Sequence, residues 1–146
     1  MPDQTEAPII LDTHAFIWLL DGSPGLEESE FVREAERASV SGILYICSVS
    51  LAEAALLVAA GRLRLAIPSA AWLEESLATP GLQVVGIDPQ LAVEGATLPG
   101  SFQGDAADRL IVATARVLGG RLATSDPALI SYGAAGHVRI LDVPAS

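Results

Sequence analysis

The chain has 146 residues, enough for one substantial core and short for two, and no apolar run approaches the roughly 20 residues that a membrane-spanning helix needs. Its 18 acidic residues face 8 basic ones, all of them arginine, giving a formal charge of −10; that field repels phosphate and argues against a generic basic nucleic-acid-binding module. Hydrophobic residues make up 51%, so part of the surface is expected to be covered by a partner or a second copy. Met1 to Glu6 carry neither a basic nor an apolar leader, and Cys47 stands alone in the apolar run Ile43 to Cys47. A single domain over residues 1–146 follows, soluble and cytoplasmic, with Cys47 buried and unpaired.

In chain order, Pro8 to Leu11 reads as a strand ending at Asp12, and Thr13 to Leu20 repeats apolar residues at helical spacing until Asp21-Gly22-Ser23-Pro24-Gly25 breaks it. A charged helix is expected from Leu26 to Ala38, with Phe31, Val32 and Ala35 inward, then a strand from Ile43 to Cys47. A helix begins at Ser50, runs over Leu51 to Ala60 and closes at Gly61. Ser69 to Ala78 is helical and Leu82 to Ile87 is the third strand. Asp88-Pro89 opens a helix to about Thr97. Ala106 to Leu118 is the clearest amphipathic helix, with Leu110, Ile111, Ala113, Thr114 and Val117 as its inner stripe. Leu122 to Thr124 forms strand four, a helical turn covers Pro127 to Tyr132, and Val138 to Val143 is the last strand. Strands separated by helices predict an α/β fold, a parallel sheet with helices on both faces.

In open sheets of this kind ligands bind beyond the carboxyl ends of the strands, where the crossover loops diverge. Asp12 ends strand one and Asp126 lies just past strand four. Glu53 is in the first turn after strand two, and Asp108 in the first turn of the helix before strand four. Four carboxylates gathered there raise one another's pKa unless a cation compensates. Oxygen ligands select Mg2+ or Mn2+, since His14 and His137 lie on different elements and form no cluster with Cys47. Each acid also has a purely structural role open to it. Ser50-Leu51-Ala52-Glu53 matches a capping box, Asp105 and Asp126 are placed to cap helices, and Asp108 suits the helix dipole. Asp12 has the weakest such role.

Taken together, these segments resemble the PIN-domain family, and within it the VapC-type toxin ribonucleases of type II toxin–antitoxin modules. Ile9 to Ala15 resembles that family's opening strand with its first Asp, Ser48 to Glu53 the segment with its Glu, Asp105 to Ala115 its most recognisable motif, and Leu122 to Asp126 its final strand and Asp. Ala106 stands where many relatives have proline. The resemblance implies a PIN-like three-layer α/β/α sandwich with a central parallel sheet of four to five strands. It implies metal binding by Asp12, Glu53, Asp108 and Asp126, with Asp105 as a fifth member and Thr124 as a supporting hydroxyl. The activity it implies is metal-dependent RNA hydrolysis leaving a 5′-phosphate and a 3′-hydroxyl.

Two other functions compete. A phosphatase of the haloacid-dehalogenase type needs a second Asp two residues after the first, and position 14 is His. A non-catalytic PIN-like module keeps the fold while the acids only cap helices. Arg62, Arg64, Arg109 and Arg116 are candidates for phosphate contact, with surface ion pairing as the plainer reading, and Trp18, Trp72 and Tyr45 are better assigned to packing than to base stacking. The segment Leu51 to Ala60 is apolar nearly all round, so something should cover its far side, with Leu56 or Leu57 pointing outward. The resemblance supplies the expected covers: a homodimer, and an antitoxin whose amphipathic segment lies in a groove and extends an Arg toward the acids.

Overall fold

The computed structural model describes residues 7–22 and 28–144. The amino-terminal segment Met1 to Glu6, and residues 23–27 of the expected break and helix start, lie outside the described residues. Strand β1 (Ile9–Leu11) leads into helix α1 (Thr13–Asp21), which ends on Gly22 at φ 75°, a left-handed position that glycine takes without steric cost. Helix α2 (Glu30–Val40) starts later than Leu26 because the Ser29 hydroxyl accepts the Val32 N–H and caps it there. Strand β2 (Leu44–Cys47), helix α3 (Val49–Ala59), helix α4 (Ser69–Leu77) and strand β3 (Leu82–Val85) follow. Helices α5 (Pro89–Ala96) and α6 (Ala106–Leu118), strand β4 (Arg121–Thr124), helix α7 (Pro127–Ala134) and strand β5 (Arg139–Asp142) complete the order.

The five strands are all parallel, in the order β3-β2-β1-β4-β5. This is the α/β architecture, helices on both faces of a parallel sheet, that the sequence pattern predicts. β1 is central and buried on both faces, as a parallel strand between helical layers must be. Ile9 and Leu11 point into one core with Leu44, Ile46, Phe16, Phe31 and Trp72, while Ile10 joins Leu122, Leu91, Ile111 and Leu129 in the other. Helices α1, α2 and α4 thus cover one face and α5, α6 and α7 the other.

Three expectations change. β3 stops at Val85 rather than Ile87, because its partner β2 ends at Cys47 and the Ser48 N–H to Val85 carbonyl bond (2.9 Å) is the last rung. α3 begins at Val49, so Ser50 is inside the helix and does not cap it. In α6 the buried residues are Ile111 to Ala115, five in succession, and Val117 is 38% exposed. A single stripe cannot bury five consecutive residues; α6 is enclosed by α5, α3 and the sheet together.

Phe16 is fully buried, edge to face with Trp72 at 5.4 Å between ring centroids. Phe16→Ala should lower unfolding free energy by about 3–5 kcal/mol in urea titration, and a loss below about 1 kcal/mol would show that this core collapses around the gap.

Candidate active site

The chain moves outward from β1 in one direction through β2 and β3, then returns to build β4 and β5 on the other side. The connections leaving β1 and β4 therefore diverge, and their carboxyl ends open the crevice in which such folds bind ligands. Asp12 lies at that point, 5% exposed, its backbone N–H bonded to the Ala123 carbonyl of β4 at 3.1 Å.

Asp12, which has the weakest structural role of the acids in the sequence, in fact caps α1 with its side chain. Oδ1 accepts the Ala15 N–H at 2.7 Å, and Oδ2 accepts the hydroxyl of the fully buried Thr124. Thr124 Oγ1 in turn accepts the Asp126 N–H at 3.0 Å, so one hydroxyl ties the acids after β1 and β4 together. Burial raises the Asp12 pKa and the Asp126 charge adds to the rise; the Thr124 hydroxyl, the Ala15 amide and His14 pull against it.

Asp105 and Asp108 form a capping box at the head of α6. Asp105 Oδ1 accepts the Asp108 N–H at 2.9 Å, and Asp108 Oδ2 accepts the Asp105 N–H at 3.4 Å. Gly104 lets the chain arrive there, since a Cβ on it would stand 2.5 Å from the Phe102 ring and 3.0 Å from the Asp108 Cβ. Partial burial first, then the charges of Asp105, Asp126 and Glu53, raise the Asp108 pKa to about 6. Asp126 caps α7 through Oδ1 to the Ala128 N–H at 2.9 Å.

Glu53, half-buried in α3, makes no capping box. Its Oε1 accepts the hydroxyl of Thr13, which is also 2.9 Å from the Ser50 hydroxyl. Sequence reasoning missed Thr13, whose only signal is a hydroxyl residue directly after a strand-ending Asp, and gave Ser50 a capping role that it does not take. The mutual repulsion thus runs from Asp12 through Asp126 to Asp108, Asp105 and Glu53. Among the described residues none of these acids has an arginine or histidine partner in an ion pair. As they stand, no three His, Cys, Asp or Glu side chains among the described residues come close enough to enclose an ion. The donor set nevertheless suits a hard cation, being all oxygen and without an arginine or histidine ion pair among the described residues.

The remaining candidates sit elsewhere. Arg116 is paired with Glu94 at 2.7 Å, and Arg109 lies over the Phe102 ring at 5.4 Å with a bond to the Gly95 carbonyl. Arg62 and Arg64 are exposed beyond the far end of α3, away from the acidic first turn. Trp72 is buried and Tyr45 packs against the second core, while Trp18 is half-buried beside His14. Cys47 is a buried free thiol, and no helix among the described residues is long and apolar enough to cross a membrane.

A PIN domain family model matches residues 9–134. The chain is 35% identical over 127 residues to ribonuclease VapC22 of Mycobacterium tuberculosis, an alignment covering 85% of this chain and 91% of that relative. Its fold is similar to one in VapBC2 from Rickettsia felis bound to a DNA fragment from their promoter, with TM-score 0.66, 16% identity, and 92% and 97% of the two chains covered. FitAcB from Neisseria gonorrhoeae is similar at TM-score 0.61 and 26% identity, over 91% of this chain and 96% of that one.

The raised Asp108 pKa has a defined sign for stability. Below about 4 the carboxyl is protonated in both folded and unfolded chain and costs nothing; from there to about 6 the folded chain retains a proton that the unfolded one has lost, and above 6 the full repulsion is present. In chelator, Asp108→Asn should therefore melt a few °C above wild type at pH 8, about 1 kcal/mol once exposure to water is allowed for, and equal it near pH 4. A difference that does not change with pH would mean that the charge is not its cause.

Proposed function

Because the chain belongs to the PIN-domain family, we propose that it is a Mg2+- or Mn2+-dependent endoribonuclease, the toxin of a toxin–antitoxin pair, acting as one cytoplasmic domain. The observation that carries this reading is the run of mutually repelling acids, none of them in an ion pair among the described residues, at the β1/β4 switch point in a chain 35% identical to a ribonuclease. Asp12, Glu53, Asp108 and Asp126 are the residues proposed to hold the ion, with Asp105 at the rim. Bound there, the ion would supply Lewis acidity toward the phosphate and make an attacking water more acidic.

The chain's own residues supply positioning. Asp12 is held on both oxygens, by the Ala15 amide and the Thr124 hydroxyl, so its direction is fixed before substrate arrives. Thr124 and the capping bonds of Asp105, Asp108 and Asp126 fix the backbone from which the other acids project. Hydrolysis joins the water oxygen to phosphorus and breaks the bond to the 3′-oxygen, which takes a proton. The ends are the 5′-phosphate and 3′-hydroxyl that the family resemblance implies. No side chain is needed as nucleophile, consistent with the burial of Cys47. A cation also answers the −10 charge, since it gives RNA phosphate the attraction that the surface denies it.

A second reading, a non-catalytic module, has one observation in its favour: Asp12, Asp105 and Asp126 all cap helices. Capping alone does not account for Asp12, because Asn caps equally well without the cost of a buried charge. The discriminating experiment is cleavage of total RNA with Mg2+ or Mn2+ and then with chelator. Asp12→Asn and Asp108→Asn should each reduce cleavage at least about a hundredfold, which is the scale expected when a ligand to a catalytic ion is lost. Asp105→Asn should reduce it only a few-fold, and wild-type rates in the first two would favour the module.

The partner reading rests on α3. Ala52, Leu56 and Ala59 form its exposed stripe, Leu56 at 68%, whereas Leu57 packs against the first core and so faces inward. Expressed alone the chain should arrest growth, and co-expressed antitoxin should relieve it. Leu56→Arg should weaken co-purification of the antitoxin while leaving the melting temperature within about 2 °C, as surface substitutions do. Leu57→Arg should instead destabilise the chain itself.

A further inference from the structure

The geometry points to Thr13 as a positioning residue that, together with Ser50, fixes which oxygen Glu53 offers to a cation; this rests on the metal-dependent reading above. Thr13 and Ser50 are 2% and 0% exposed, and they connect the first turn of α1 to the first turns of α3. Thr13 Oγ1 lies 2.9 Å from Ser50 Oγ and also contacts Glu53 Oε1.

A hydroxyl has one proton, and an ionised carboxylate can only accept. With Glu53 ionised, the Thr13 proton must go to Oε1. Ser50 must then donate to Thr13, and the chain of bonds has a single direction, Ser50 to Thr13 to Glu53. Oε1 is thereby engaged, while Oε2 accepts no hydrogen bond from any described residue. A carboxylate with one oxygen held and the other open presents a fixed direction to an incoming cation instead of a freely rotating pair.

Local structure is given up for this arrangement. Ser50 and Glu53 have the spacing of a capping box, yet both turn to Thr13, and Ser48, at the head of α3, makes no side-chain cap. A chain that needed only helix stability would have used the cap. Supporting groups of this kind typically change metal affinity by about tenfold or more when removed.

The test compares wild type with Thr13→Val, which keeps the shape and removes the hydroxyl, with Thr13→Ser, which restores it, and with Ser50→Ala. Mn2+ affinity is measured by calorimetry, melting in chelator, and cleavage on total RNA. Thr13→Val should bind Mn2+ about tenfold more weakly and cleave correspondingly more slowly, with its melting temperature in chelator no lower than wild type. Thr13→Ser should stay within about twofold of wild type, and Ser50→Ala should lose a few-fold. Wild-type Mn2+ affinity in Thr13→Val, or a Thr13→Ser as impaired as Thr13→Val, overturns the inference. Should Thr13→Val fail to fold, Ser50→Ala decides, and wild-type affinity in it overturns the inference equally. Thr13-dependent Mn2+ binding without RNA cleavage keeps the inference and sinks the ribonuclease reading, whereas a wild-type chain that binds no Mn2+ overturns both.

Discussion

A carboxylate buried at the end of a central strand has to be met by donors on both oxygens, and this fold brings one to Asp12 from nearby and one from far along the chain. One is the Ala15 amide, three residues on, in the first turn of α1; the other is the Thr124 hydroxyl, 112 residues away, at the end of β4. The second is possible only because β1 and β4 are neighbours, a pairing that the strand order delivers at its point of reversal. Parallel pairing, the placement of the crevice and the orientation of the first acid are therefore one constraint. The remaining acids gather around it: Asp126 through the same Thr124 hydroxyl, Glu53 through Thr13, which adjoins Asp12 in sequence.

The same arrangement sets the electrostatics. Backbone amides at four helix starts, α1, α5, α6 and α7, donate to aspartate caps, and three of those starts open on the β1/β4 edge. Helix N-termini make carboxylates tolerable one at a time. They do not remove the repulsion between them, which adds to partial burial in raising the Asp108 pKa to about 6. An edge built in this way is stable enough to fold and still short of positive charge.

Most of the fold was legible because its signals are local. Ile9 to Leu11 is a short apolar run, Asp88-Pro89 starts α5 where a cap and a first-turn proline should, and Gly119 ends α6 in a left-handed conformation. What escaped depends on partners distant in sequence. Ser50 and Glu53 satisfy a four-residue capping rule, but Thr13, 37 residues from Ser50, outcompetes it. Asp12 obeys the N-cap rule, but the apolar strand before it dominates the pattern and makes its structural role look the weakest of the four. Leu56 and Leu57 are chemically alike, and only the rotation of α3 against the core separates an exposed side chain from a packed one.

The enclosure of α6 bears on how the edge can move. With Ile111 to Ala115 buried in unbroken succession, this helix has no face along which it could slide or swing without opening the core on several sides. Asp105 and Asp108 at its head inherit that stiffness. The approach to the helix is closely packed as well, since a Cβ on Gly104 would stand 2.5 Å from the Phe102 ring. A substitution anywhere from Ile111 to Ala115 is therefore felt at the acidic edge as well as in the core, because the helix that carries Asp105 and Asp108 cannot repack on one side alone.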